Sequence, residues 1–419
     1  MSVQARGLQP GRAAAPGAPW IVVAAGVCAA LHVGKLAPAI AVLQRDLGLT
    51  LVEAGLLLGF VQGAGMTLGL LVGAWCDGLG ARRSLMLGLL LQAGASGGGA
   101  LVSGTGPMLA CRAVEGLGFL MVVLPAPGLL RALTPPAQVR GMLGTWGAFM
   151  PLAIALALLA GPPVIEWAGW RAWWVVLAGV SVTMALTLRL TVPAHAAPAP
   201  ARAEAPPGPA ESMLRTLGRR VALTLRAPGP WFVALIFAMY SSQWLAVVGF
   251  LPTIVAQSGL DPLLTGLVAA GVAAANIAGN AASGHLMQRG VPAPALLAVG
   301  FTTMAAGAVV GFAPLLDPGS AGRLVALALF SAVGGLIPGT LFALAVQVAP
   351  DERAVSSTVG WMQQWSAAGQ VLGPPAVAWV ASAAGGWPRT WMATGACCVL
   401  GLALTAGLAH WQGRLRAPR

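Results

Sequence analysis

Charged side chains all but vanish from twelve long stretches of this sequence, and that pattern restricts the chain to one solvent. Asp, Glu, Lys and Arg make up 8% of the 419 residues and hydrophobic types 58%, whereas soluble domains are about a quarter charged. A helix that crosses a bilayer needs ~20 mostly apolar residues, and it satisfies its own backbone where lipid offers no partner. Runs of that length lie at about 20–42, 54–75, 84–102, 107–130, 141–165 and 171–190. A second six follow at about 230–256, 262–285, 294–312, 323–348, 356–381 and 389–410. The 57 glycines and 32 prolines suit membrane helices, where both are more frequent than in soluble ones.

Between the two sets lies a stretch that no membrane accepts. Its first half, TVPAHAAPAPARAEAPPGPAES from Thr191, is Pro/Ala-rich and extended in character. Its second half, 211–226, sets Leu and Val at helical spacing among Arg215, Arg219, Arg220 and Arg226, the pattern of an amphipathic helix on a lipid surface. The expected organisation is a tail over 1–19, a six-helix bundle over 20–190, a linker over 191–229, a second bundle over 230–410 and a tail over 411–419.

The net charge of +12 invites a nucleic-acid reading, which the placement of the charges excludes. With the N-terminus cytoplasmic, 17 of the 23 basic residues fall on the inner side, as the positive-inside rule requires. The excess then faces anionic lipid headgroups. The chain is expected to be integral to a bacterial inner membrane, monomeric, with both termini cytoplasmic. The five cysteines have neither zinc-ligand nor disulfide-framework spacing, and no metal or cofactor is expected.

The halves repeat. Gly73 and Gly284 open G-x-x-x-D and G-x-x-x-Q, Arg112 and Arg323 enter the fourth and tenth spans, and PGLLRAL at Pro127 matches PGTLFAL at Pro338, each pair offset by 211. Arg140 and Arg353 open the fifth and eleventh spans, which close on AGPP and LGPP, at offsets of 213 and 212. Six spans per copy give both copies the same orientation, an arrangement that rocks about a site at mid-depth.

These residues also carry a family resemblance. GAWCDGLGARR, from Gly73 to Arg83, resembles the loop signature G-x-x-x-D-R-x-G-R-[RK] of the major facilitator superfamily. Arg112-Ala-Val-Glu-Gly116 resembles its fourth-helix R-x-x-Q-G motif, and GWRAWW at Gly169 its lead-in to the sixth helix. The resemblance implies an all-α membrane protein of twelve transmembrane helices in two pseudo-symmetric six-helix bundles. Three positions depart from the pattern: Gly78 follows Asp77, Gln288 replaces the second acid, and AGPPVIEW keeps only the G-P of the drug-antiporter motif. The segments NIAGNAASGHLMQRG and VGWMQQWSAAGQVLGPP look most like the cyanate/nitroimidazole-type branch.

Lys35 is the only lysine, beside twenty-two arginines, and lies inside the first span with His32 one turn away. It either faces a cavity and attracts an anion or snorkels to the interface. Arg112 and Glu115, i and i+3 on the fourth span, either form a structural ion pair or carry a coupled proton. Arg323 is expected to snorkel. Tyr240 with Gln243 and Trp244, Asn276 with Asn280, and Trp361 with Gln364 and Trp365 each share a helical face. In spans that the resemblance places around a cavity, these amides and aromatics complete the expected binding set with Lys35 and His32. Gly73, Asp77, Gly80, Arg82 and Arg83 form the expected gate, with Asp77 pairing an Arg and a helix C-terminus in one access state.

The four histidines are scattered, and neither a H-E-x-x-H nor a G-x-x-x-x-G-K-[ST] motif occurs, so neither an intramembrane enzyme nor an ATP-driven pump is expected. The reading is a secondary transporter of a small anionic or polar organic solute, a symporter if protons couple. The alternative is proton-driven efflux of a drug or hydrophobic metabolite.

Overall fold

The computed structural model describes residues 17–193, 213–257, 259–317, 320–351 and 354–416, and every regular element among them is helical. The first span is α1 (Ala18–Gly34), carried through a 3₁₀ turn at Ala37–Ala39 into α2 (Ile40–Leu47). It runs past the expected end at 42, because the helix continues amphipathically through Arg45 and Asp46. The second span starts at Leu51 rather than 54: Thr50 Oγ1 accepts the Glu53 N–H while the Glu53 carboxylate accepts the Thr50 N–H. That reciprocal cap starts a helix where hydropathy alone does not. The span comprises α3 (Leu51–Phe60) and α4 (Gly63–Leu79), bent by 43°.

There follow α5 (Ala81–Gly99), α6 (Thr105–Val123) with α7 (Ala126–Leu133), and α8 (Val139–Gly147) leading into α9 (Phe149–Thr191). The long α9 is two spans, since Gly169, at φ 80° and ψ 166°, turns the chain back. A side chain would be strained there. The second half comprises α10 (Met213–Arg226), α11 (Pro228–Ala256), α12 (Pro262–Gln288), α13 (Ala293–Phe312), α14 (Ala321–Gly334) with α15 (Leu336–Val348), α16 (Val355–Ala383) and α17 (Thr390–Arg416). Among the described residues eight helices are long and apolar enough to span alone, nine with the bent pair. The twelve are completed by the fold-back of α9 and by the more polar α5 and α16. At 19 and 29 residues these two reach ~28 and ~43 Å at 1.5 Å per residue.

The result is two six-helix bundles. In α11 83% of the most apolar window is buried and in Trp387–Arg414 only 28%, so the seventh span is central and the twelfth faces lipid. Large apolar side chains stand exposed around the outside, Leu190 at 76% and Val399 at 67% among them. Trp20, Trp167 and Trp379, near span ends, are exposed as interfacial anchors are.

The bundles meet chiefly toward the end that carries the Gly48 and Gly169 turns, here the far end; Ala18 and Gly80 mark the near end. A Cβ on Gly59 of α3 would lie 2.3 Å from the Gln370 carbonyl oxygen of α16, and Gly55 lies against Pro374 and Pro375. Gly266 of α12 meets Leu158 and Pro162 of α9, and Gly249 of α11 meets Leu58. Small residues let the helix backbones of the two halves touch there.

Candidate functional site: a buried ionic cluster in the N-terminal half

Helical spacing assembles the site. On α1, His32 and Lys35 are i and i+3, as are Arg112 and Glu115 on α6, so each helix turns two polar groups onto one face. The two faces meet. Lys35, His32, Arg112 and Glu115 are all fully buried. Glu115 takes Lys35 Nζ on Oε1 and Arg112 Nη1, at 2.6 Å, on Oε2. Lys35 also donates to Ser96 Oγ of α5 at 2.8 Å and stands 4.6 Å from the Trp174 ring of α9. Lys35 therefore does not snorkel.

His32 Nε2 lies 2.8 Å from Ser181 Oγ, and its Nδ1 faces Glu115 Oε1 at 3.7 Å, beyond hydrogen-bond length. Arg112 fixes three helices at once: Nη1 donates to the His32 carbonyl at 2.5 Å and Nε to the Leu57 carbonyl of α3 at 3.1 Å. Its Nη2 is buried without a partner. Gly116 makes that reach possible, since a Cβ there would sit 2.1 Å from the Val61 carbonyl oxygen. With a neutral imidazole the cluster holds two cations and one carboxylate. Desolvated ions persist when paired and hydrogen-bonded on several sides, and one carboxylate shared by two cations supplies that here.

Lys35 and His32, expected to bind solute, and Arg112 and Glu115, expected to couple protons, thus form a single cluster. Ser96, Ser181 and Trp174 belong to it and were missed. The available signal was a serine isolated in an apolar run, GAS96GGG and GVS181VTM.

The other expected binding residues divide. In the C-terminal half Asn276 Nδ2 donates to Tyr240 Oη at 2.9 Å and to the Ser331 carbonyl at 2.8 Å, and Asn280 donates to Asn276 Oδ1 at 2.9 Å. Trp244 Nε1 reaches Ser331 Oγ at 3.1 Å. Gln243 does not join them: its Oε1 accepts from Cys398 of α17 at 3.2 Å. The steps of three and four residues from Tyr240 fall on opposite sides of it around the helix, and they split between two neighbours. Trp361 packs against Trp231 and Trp365 toward the near end, where Gln364 Nε2 crosses to the Met66 carbonyl of the other half at 3.4 Å.

Of the expected gate, only the helical backbone of α4 is described at Gly73 and Asp77. Gly80 turns the chain at φ 82°. Arg82 Nη2 donates to the Arg189 carbonyl at 2.6 Å, so this arginine caps the C-terminus of α9 within its own bundle. Arg83 is exposed.

The family model of the Major Facilitator Superfamily matches residues 22–374. An uncharacterized MFS-type transporter of Mycobacterium tuberculosis (strain ATCC 25618 / H37Rv), Rv1250, is 34% identical over 116 residues, 27% of this chain. The chain spans about a fifth of the length of that relative, 19%. A solved bacterial homolog of the human lysosomal transporter Spinster, inward-facing and occupied, superposes with a TM-score of 0.76 at 16% identity over 96% of this chain and 98% of that one. The same protein, inward-facing and unoccupied, gives a TM-score of 0.69 at 16% identity over 94% and 96%.

Proposed function

The chain belongs to the major facilitator superfamily of membrane solute transporters, and on that premise we propose that it carries a small anionic or polar organic solute by alternating access, with proton coupling. The observation that carries this reading is the ionic cluster: the two cationic side chains Lys35 and Arg112 share one carboxylate in a fully buried site. Intramembrane ionisable groups are costly and mark solute or proton pathways. A proton arriving on Glu115 removes the only negative charge, releases Lys35 and Arg112, and leaves two uncompensated cations to draw in an anion. The anion then restores neutrality, so proton and solute travel together as a symport. Arg112 holds the Leu57 carbonyl, two residues from the Gly59 contact with α16, so release of Arg112 loosens the helix that seals the far end.

In this reading the near end is cytoplasmic, and Tyr240, Asn276 and Asn280 supply the polar contacts from the other half. Trp361 and Gln364 line the near-end approach.

The test is counterflow uptake in proteoliposomes against a panel of small carboxylates and inorganic anions, with and without an inward proton gradient. Gradient-stimulated uptake that disappears in Lys35→Ala, with the variant present at normal level, is the expected result. Uptake unchanged in Lys35→Ala removes the anion argument. A second reading, proton-driven efflux of an apolar compound, draws on the Trp231, Trp361 and Trp365 cluster; it predicts drug resistance in overproducing cells.

A further inference from the structure

A cavity of about 200 Å³ lies at the far end of the C-terminal half, lined by residues of that half and none of the ionic cluster. Ile254, Phe312, Leu324, Leu327 and Trp387 give it apolar walls, and Arg323 supplies the charge. Arg323 stands 211 residues after Arg112 in the repeat, but the position matching Glu115 is Ala326. The second copy has therefore kept the guanidinium and lost its carboxylate. In register with α6, the helix α14 would begin at position 316; it begins at Ala321.

Arg323 is the cation on the wall of this cavity. Arg323 Nη2 donates to the carbonyls of Phe312 at 3.1 Å and Ala313 at 3.4 Å, but its Nε is buried without a partner. The first turn of α14 carries no acid to balance the helix dipole, and Asp317, exposed in the loop before it, forms no ion pair with Arg323 among the described residues. A cation in the first turn adds to the positive end of the dipole, and apolar walls screen it less than water does.

Carboxylate and phosphate are the groups a guanidinium matches, while the walls call for a hydrocarbon chain. We infer that this cavity binds a single-chain amphiphile, with its anionic head on Arg323 and the start of its tail along Phe312, Leu327 and Trp387. The volume lies below the ~300–1,000 Å³ of drug-sized pockets, so it holds a head and a short tail rather than a two-chain lipid. The site is separate from the cluster invoked for transport and does not depend on that reading.

The experiment is native mass spectrometry of the full chain in a non-ionic detergent, titrated in parallel with octanoate, octanol and acetate. Octanoate is expected to bind at least tenfold more tightly than octanol, and acetate not to bind over the same range. Arg323→Gln should erase the preference for octanoate, and Leu327→Trp should fill the hollow and abolish binding while leaving the Arg323 hydrogen bonds intact. Octanol binding as tightly as octanoate, acetate binding alone, or full octanoate affinity in Leu327→Trp would each overturn the proposal. The Leu327 variant decides the matter if Arg323→Gln does not fold.

Discussion

Replacing Glu115 by Gln changes almost no shape and removes the only anion between Lys35 and Arg112. Breaking a buried pair by deleting one partner costs ~3–5 kcal/mol, because the remaining charge stays desolvated. One carboxylate here serves two fully buried cations, which places Glu115→Gln in the upper part of that range, ~4–5 kcal/mol. At ~2–4 °C per kcal/mol for a unit the size of one bundle, the melting temperature should fall by ~8–20 °C. Lys35→Met behaves differently, since it leaves Arg112 and Glu115 as a neutral pair. It forfeits the hydrogen bond to Ser96 and the contact with Trp174, but it also relieves the desolvation of an ammonium. The net change should be ~1 kcal/mol, or ~2–4 °C. The double variant, with a lone Arg112, should fall between them. Cys28 and Cys398 are buried thiols outside any disulfide, so a thiol-reactive dye reads the unfolding of purified protein directly. Equal losses in Lys35→Met and Glu115→Gln would refute the charge accounting, whatever either variant does to transport.

Other expectations concern movement and coupling. Gly59→Ala sets a methyl against the Gln370 carbonyl and should prise the far end open; a cysteine placed at Val371, in a background without native cysteines, should then label at least tenfold faster. Inward proton gradients should stimulate uptake by the wild type, and Glu115→Gln, which cannot exchange a proton, should show uptake indifferent to the gradient. Asn276→Leu leaves Tyr240 Oη without its donor and should lower the stability by the ~1–3 kcal/mol of an unsatisfied buried group, read as a lower melting temperature. Retention of wild-type stability would show that water replaces the amide.

Much of this arrangement was legible because lipid simplifies the code. Long uncharged runs mark spans, and the offset of 211 pairs Arg112 with Arg323 in the sequence itself. The span ends at Leu47 and Leu51 were not legible from hydropathy, because an amphipathic last turn and a Thr50–Glu53 cap operate through hydrogen bonds. Within the site, i and i+3 spacing identified each half of the cluster, but which two helices face one another is settled by packing. Gly116 against Val61 admits α6 to α3, and one glycine among 57 does not announce that role. Gln243 failed for the opposite reason: a shared stripe in sequence is wide enough to serve two neighbours.

The duplication has separated the two halves chemically. At the offset that joins them, Lys35 corresponds to Ala246, His32 to Gln243 and Glu115 to Ala326, so of the ions of the first bundle only Arg112 has a charged counterpart in the second, Arg323. The second bundle holds Tyr240, Asn276 and Ser331 in hydrogen bonds that need no counter-charge. Charge can therefore change in one bundle without an ion crossing the seam. The geometry keeps the consequence short-ranged: Arg112 grips the Leu57 carbonyl, Leu58 packs on Gly249, and Gly59 abuts Gln370. Three consecutive residues of α3 thus touch the ionic cluster, the seventh span and the eleventh. In a rigid, close-packed interior, the coupling proposed above would therefore run through α3, the element that joins the ionic cluster to the second half.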